Sequence, residues 1–219
     1  MCNMCGIAGS NNKERAYMLY QSNLDRGYYS SGSIVLDDLD MWVCEKTQGK
    51  FRNLAEPACV PGIHTEAKYF LYHSRGPTTE TKEFNEVNNH PFFYGDWIVA
   101  HNGIISNFEK LGKEHFSNEN FEGRTDSCII PRILDLFGLQ GLSKLEGTLA
   151  IWAYNIRTKN TFIARNSCTL YANTNTGDFC STMFDGSVML DEGTIYLIVD
   201  NKRIVKDSTF KTKSPYFIL

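Results

Sequence analysis

Two stretches in the last third of the chain constrain its fold most, TLAIWAYNIRTKNTFIAR and TIYLIVDNKRIVKD. Each consists of two runs of β-branched and aromatic residues joined by a short polar turn, which predicts a hairpin. The turns fall at Thr158-Lys159-Asn160 and near Asp200-Asn201. SGSIVLDD and DMWVCEK predict another strand pair around an Asp-rich turn. Further strands are expected at residues 68–73 and 96–101, with a short first one at GIAG after Cys5. Helical periodicity is confined to residues 13–24, where Tyr17, Tyr20 and Leu24 share a face, and to residues 107–115 and 126–137. Pro131 suits the last of these only if it lies near the first turn. Many strands and few helices, without regular βαβ alternation, predict an α+β layered fold.

No repeat, low-complexity segment or Pro/Gly/Ser-rich linker divides the 219 residues, a length that can bury a substantial core without staples. The formal net charge is −3, and no Lys/Arg block suggests a nucleic-acid partner. Apolar runs such as Tyr69 to Tyr72 and Leu149 to Tyr154 are far too short for a membrane span, and the N-terminus has no secretory signal pattern. Seven scattered cysteines, an odd number, suit reduced thiols in a cytoplasmic protein better than a disulfide framework. The polar stretch at residues 76–90 lacks periodicity, and a loop of that length is often functional.

The chain opens MCNMCGIAGS, with Cys2 and Cys5 in a C-x-x-C spacing. A zinc site would need a second ligand pair at compatible spacing, and none of the other cysteines forms one. A thioredoxin-like motif would need a βαβ context, which is missing. No metal and no cofactor is signalled. The pair therefore stands as two candidate nucleophiles.

Cys5-Gly6-Ile7-Ala8-Gly9 resembles the Cys-Gly-Ile start of class II glutamine amidotransferases, which are N-terminal-nucleophile hydrolases. Further matches follow in the family's order. Leu24 to Gly32 is similar to its Arg-Gly-Tyr-Asp-Ser-Ala-Gly segment, and His73-Ser74-Arg75-Gly76-Pro77-Thr78 to its His-Thr-Arg-Trp-Ala-Thr. Asn88-Asn89-His90-Pro91 resembles Asn-Ala-His-Pro, and Ala100 to Phe108 resembles Val-His-Asn-Gly-Ile-Ile-Glu-Asn-Tyr. Arg124-Thr125-Asp126-Ser127 resembles a Glu-Thr-Asp-Thr that opens a helix, with weaker echoes at Leu145 to Ala150 and Asp191 to Ile195. The resemblance runs from Cys5 almost to the C-terminus, and its nearest flavour is the glutaminase domain of glucosamine-6-phosphate synthase. It implies a four-layer αββα sandwich of the N-terminal-nucleophile hydrolase type, with two largely antiparallel sheets.

Hydrolysing a carboxamide requires a strong nucleophile and stabilisation of a tetrahedral oxyanion. A cysteine at a processed N-terminus carries its own base, since a free α-amine titrates near neutrality. The resemblance assigns Cys5 as nucleophile, which makes residues 1–4 a leader removed by processing and residues 5–219 the glutaminase domain. Removing Met1 alone would instead expose Cys2, followed by Asn-Met rather than Gly-Ile. The family's oxyanion hole maps onto the Asn102 side chain and the Gly103 N–H; unaided, Asn-Gly also reads as an ordinary type I′ turn. Arg75 maps to the grip on the glutamine α-carboxylate and Asp126 to the α-ammonium partner, the alternatives being a solvated charge and a helix N-cap. Thr78 and Arg26 match positions near the nucleophile or glutamine. His73, His90 and His101 read as structural histidines with satisfied rings, and Cys44, Cys59, Cys128, Cys168 and Cys180 as buried thiols.

Departures from the family concentrate in one loop. Gly76-Pro77 stands where synthase-type domains carry Trp-Ala, and Thr79-Glu80 replaces His-Gly. The implied activity is hydrolysis of glutamine to glutamate and ammonia. The sequence has no ammonia-consuming domain after the glutaminase domain, so the expected partner is a separate synthase or ligase. The alternatives are an amidase acting on another γ-glutamyl amide and a catalytically degenerate binding or regulatory module.

Overall fold

Side-chain alternation sorts the strands of this computed structural model into faces, and the faces into layers. The structure describes residues 2–8, 13–37, 42–51, 67–76, 84–200 and 202–213. In chain order the elements are β1 (Asn3–Ala8), α1 (Lys13–Gln21), β2 (Ser30–Asp37), β3 (Trp42–Gln48), β4 (Ala67–Arg75), β5 (Phe92–Tyr94), β6 (Trp97–Ile105), α2 (Phe108–His115), α3 (Ile129–Phe137), β7 (Gly147–Asn155), β8 (Asn160–Asn166), β9 (Tyr171–Asn173), β10 (Asp178–Cys180), β11 (Val188–Met189), β12 (Thr194–Val199) and β13 (Arg203–Thr209). One sheet has the order β11-β9-β10-β1-β4-β2-β3 and the other β13-β12-β8-β7-β6-β5. Every pairing between these strands is antiparallel.

Three buried clusters separate four layers. Met4, Ile34, Leu36, Tyr69 and Leu71 of the first sheet pack against Ile98, Ala100, Ala150, Trp152 and Tyr154 of the second, forming the inter-sheet core. Val99, Ile151 and Ala153 face the other way and meet Ile129, Ile130, Ile133 and Leu134 of α3, with Leu111 of α2. On the far side of the first sheet, Ile7, Val35, Phe70 and Tyr72 meet Ala16, Tyr17 and Tyr20 of α1. The result is the αββα sandwich. Tyr69 stacks on Trp152 across the sheets with ring centroids 6.1 Å apart; large apolar side chains buried in this way each contribute about 2–3 kcal/mol.

The two C-terminal hairpins form as β7–β8 and β12–β13, and β2 pairs with β3. Lys159 and Asp200 adopt positive φ in the two turns. Pro131 is the third residue of α3, within the first turn, where a backbone N–H has no helical acceptor to lose. The helix expected over residues 13–24 ends at Gln21, and Leu24–Arg26 forms a separate 3-10 turn. Likewise Asp126–Cys128 is a 3-10 turn leading into α3. The strand expected at 96–101 extends to Ile105, so Asn102 and Gly103 lie inside β6 and not in a hairpin turn. Part of the 76–90 stretch, residues 77–83, lies outside the described residues, as does Cys59. Among the described residues no helix is long and apolar enough to cross a membrane.

Candidate active site

The site lies at one end of the inter-sheet layer, where β1 begins, β4 ends, β6 ends and β7 begins. Period-two alternation carries the core pattern to that end and exchanges apolar residues for polar ones. On β6, Ile98 and Ala100 of the inter-sheet core are followed in phase by Asn102; on β4, Tyr69 and Leu71 are followed by His73 and Arg75. On β7, Trp152 and Ala150 lead back to Thr148. On β1, Ala8 and Met4 lead back to Cys2, just before the strand. A cleft of about 440 Å³ opens here, lined by Cys2, Arg26, Gly76, Asn102, Gly103, Ile104, Thr148, Ser167, Cys168 and Thr169. That volume is within the range of small-molecule sites.

Cys5, the expected nucleophile, is not in the cleft. It is odd-numbered in β1, in phase with Ile7, so it points to the helix side of its sheet among Tyr17, Tyr20, Phe51 and Tyr72. It is fully buried and pairs across the ladder with Cys180. Burial, reinforced by the Cys180 thiol, pushes its pKa well above the ordinary thiol value. Cys2 differs in exposure and partners. It is half-buried, its thiol donates to the Gly76 carbonyl at 3.5 Å and accepts the Gly76 N–H at 3.4 Å, and its carbonyl accepts from Arg26 Nε at 3.4 Å. Burial raises its thiol pKa, opposed by the Gly76 hydrogen bond and the Arg75 charge, while the Asp126 carboxylate adds to the rise.

Asn102 is buried and bonded at both ends of its carboxamide. Its Nδ2 donates to Ser181 Oγ at 2.8 Å, and its Oδ1 lies 3.0 Å from His73 Nε2. The same nitrogen of His73 lies 3.1 Å from the His101 carbonyl, so Nε2 faces two acceptors and carries the ring proton. Burial lowers the His73 pKa to about 3, so the ring is neutral. His101 is similarly held: Nε2 donates to the Thr148 carbonyl at 3.4 Å and Nδ1 accepts from Ser127 Oγ at 2.8 Å. His90 stacks on His73 with centroids 3.8 Å apart, and neither of its ring nitrogens has a partner among the described residues. The expectation of satisfied rings therefore holds for two of the three histidines.

Gly103 has a φ of +137°, and a Cβ there would run into the Thr148 carbonyl oxygen. Only glycine fits that backbone. Among the described residues β5 pairs with β6 only as far as Val99, and no strand pairs with the outer edge of β6 beside Asn102 and Gly103. Asp126 takes the next position on that edge, its Oδ2 accepting the Ile105 N–H at 2.6 Å. It thus braces β6; the N-cap of its own 3-10 turn is Thr125. Arg75 is buried, donates to the Asn88 carbonyl at 2.9 Å and to Asn89 Oδ1 at 3.3 Å, and lies over the Tyr29 ring. Cys2, Arg26, Asn102 and Gly103 therefore share the cleft, with Arg75 and Asp126 acting on the Cys2 thiol through their charges. Thr78 lies outside the described residues.

Residues missed from the sequence are Ser181, Thr148, Ser167, Cys168 and Thr169. Only Thr148 fell within a family echo; Ser181 follows the last residue of a three-residue strand and belongs to no motif. Ser167 has a φ of +58°, a backbone position that periodicity does not reveal.

Comparison with known proteins supports the fold. Two solved structures share the fold at 18% sequence identity. One is described as the allosteric regulatory enzyme of purine biosynthesis (TM-score 0.74, covering 97% of this chain and 50% of that one). The other is glutamine phosphoribosylpyrophosphate amidotransferase from B. subtilis complexed with ADP and GMP (TM-score 0.73, covering 98% and 50%). The glutamine–fructose-6-phosphate aminotransferases (isomerizing) of Staphylococcus epidermidis and Staphylococcus aureus are each 27% identical to this chain in an alignment that covers 92% of it and 35% of the relative. The chain thus spans about a third of the length of these curated relatives. A family described as the glutamine amidotransferase domain matches residues 60–179, more than half of the chain. With this match, the αββα sandwich and a thiol beside an Asn-Gly pair, the chain belongs to the glutamine amidotransferase domain family.

Proposed function

We propose that the chain hydrolyses the side-chain amide of glutamine and that Cys2, made N-terminal by removal of Met1, is the nucleophile. The observation that carries this reading is that Cys2, and not Cys5, borders the cleft with Asn102 and Gly103. A cut after Met4 would also delete the first two residues of β1 and their pairing with Ser74 and His73, which counts against the longer leader.

In this reading the Cys2 Sγ attacks the glutamine side-chain carbonyl carbon while its proton passes to the Cys2 α-amine. The oxyanion that forms takes hydrogen bonds from Asn102 Nδ2 and the Gly103 N–H. The amine returns the proton as the C–N bond breaks, releasing ammonia and leaving a γ-glutamyl thioester. Water, deprotonated by the same amine, then frees glutamate and the thiol. Arg75 grips the substrate α-carboxylate and Asp126 meets its α-ammonium group. Arg26 holds the backbone of Cys2 through its carbonyl. Thr78 keeps its assignment near the substrate through the resemblance alone. Ammonia passes to an acceptor site on a separate partner enzyme or another domain, and the protein works in the cytoplasm.

Glutamate release from glutamine is the test. Activity in the wild type, lost in Cys2→Ala and kept in Cys5→Ala, is expected. If glutamine is inert while another γ-glutamyl amide is cleaved, the substrate assignment is wrong. If neither is cleaved and Met1 is retained, the protein is a binding module.

A further inference from the structure

We propose that Ser181 and His73 are positioning residues that lock the Asn102 carboxamide in one orientation, and that Ser181 also registers the Cys2 strand against it. The inference rests on the oxyanion role proposed for Asn102. A carboxamide can turn over about its last torsion, exchanging its donor and acceptor ends. Catalysis by Asn102 requires the donor end to face the developing oxyanion, so something must fix the choice.

The hydrogen bonds around Asn102 leave a single solution. His73 Nε2, facing the Asn102 Oδ1 and the His101 carbonyl, must donate. It therefore claims the oxygen of Asn102. Ser181 Oγ donates to the Met4 carbonyl at 3.1 Å and accepts the Met4 N–H at 2.9 Å, which leaves its remaining lone pair for Asn102 Nδ2 at 2.8 Å. Turning the amide over would set N–H against N–H at His73 and spend the Ser181 proton twice. With Oδ1 held by His73 and one Nδ2 hydrogen held by Ser181, one Nδ2 hydrogen is left for the cleft. Both positioning side chains are buried, which keeps water from replacing either bond. His73 also remains neutral down to low pH, so its acceptor-seeking N–H does not become part of a charged ring.

Ser181 does a second thing. Met4 is two residues from Cys2, and the Ser181 N–H also bonds the Met4 carbonyl at 2.9 Å. One serine thus ties the strand carrying the thiol, in the first sheet, to the oxyanion donor in the second. Placement of reacting groups at this precision is worth large factors in rate, and a misplacement of about 1 Å can cost about 10²-fold.

The test is a double-mutant cycle on glutamine hydrolysis with Ser181→Ala, Asn102→Ala and both together, alongside His73→Leu and His73→Gln. Ser181→Ala is expected to lower kcat about 10–10²-fold with KM changed less than about threefold. In the Asn102→Ala background the same change should cost less than about threefold, because its target is already gone. His73→Leu should lose about tenfold or more in kcat, and His73→Gln, which keeps an N–H donor, should recover most of it. An undiminished kcat in Ser181→Ala, or a full loss in the Asn102→Ala background, overturns the proposal. If the wild type itself releases no glutamate, the proposed activity falls while the lock is still decided by NMR. Side-chain ¹⁵N-labelled Asn102 should then show amide-proton exchange at least about tenfold faster in Ser181→Ala and His73→Leu than in wild type; unchanged exchange in both overturns it.

Discussion

Two thiols three residues apart, one just before β1 and one within it, meet opposite environments. Cys2 opens onto the inter-sheet cleft, bonded to the Gly76 backbone and bordered by Arg26, Asn102 and Gly103. Cys5 is enclosed on the helix side by Tyr17, Tyr20, Phe51 and Tyr72. A nucleophile needs access and nearby hydrogen-bond donors, and of these two regions only the cleft side offers both. Strand parity makes the difference: an odd offset along β1 moves a side chain from one face of the sheet to the other. The family-like neighbours of Cys5, Gly-Ile, say nothing about parity. On the proposed reading, the reactive position and the motif-bearing position have come apart in this chain.

The comparison breaks most readily by removing each thiol. Cys2→Ala is expected to lower glutamate release by at least about 10³-fold, whereas Cys5→Ala should leave kcat within a few-fold and cost about 1 kcal/mol in a denaturant melt. Loss of activity in Cys5→Ala with retention in Cys2→Ala would reverse the assignment. Next in size is Asn102→Ala, expected to lower kcat about 10²–10³-fold in the same assay with little change in KM. Arg75→Lys should instead act through binding, raising KM for glutamine about tenfold, because a point charge cannot reproduce the guanidinium fork.

A last prediction concerns stability and pH. His73 is neutral in the fold with a pKa lowered to about 3, against about 6.5 when unfolded. Between those values the unfolded state binds more protons, so stability rises with pH there. The protein is therefore expected to lose stability as pH falls below about 6.5, by up to about 1.4 kcal/mol per pH unit from this group. Thermal melts of wild type and His73→Gln across pH 4–8 check it: the variant should show a shallower slope, and an equal slope would remove His73 as the cause.

Most of the layering was legible because it rests on period-two patterns. Hairpins rich in isoleucine and aromatic residues in TLAIWAYNIRTKNTFIAR and TIYLIVDNKRIVKD became β7–β8 and β12–β13 as expected. The Asn102-Gly103 pair was legible through its neighbours His101 and Ile104, although alone it suggested a turn. Its place within β6 depends on Gly103 adopting a φ that other residues avoid, which local propensity does not register. Asp126 was recognised, but its bond to the Ile105 N–H joins residues 21 positions apart and leaves no trace in spacing. Ser181 was invisible for the same reason, since its partners Met4 and Asn102 lie 177 and 79 positions away. The choice between Cys2 and Cys5 turned on which face of β1 meets the second sheet, a tertiary fact.

The most direct test is to trap the nucleophile. The purified protein, treated with the alkylating glutamine analogue 6-diazo-5-oxo-norleucine, is digested and mapped by mass spectrometry, with the intact mass read in parallel. The account predicts one adduct, on Cys2, in a chain that lacks Met1. An adduct on Cys5, or a chain that retains Met1 and takes no label, would contradict it.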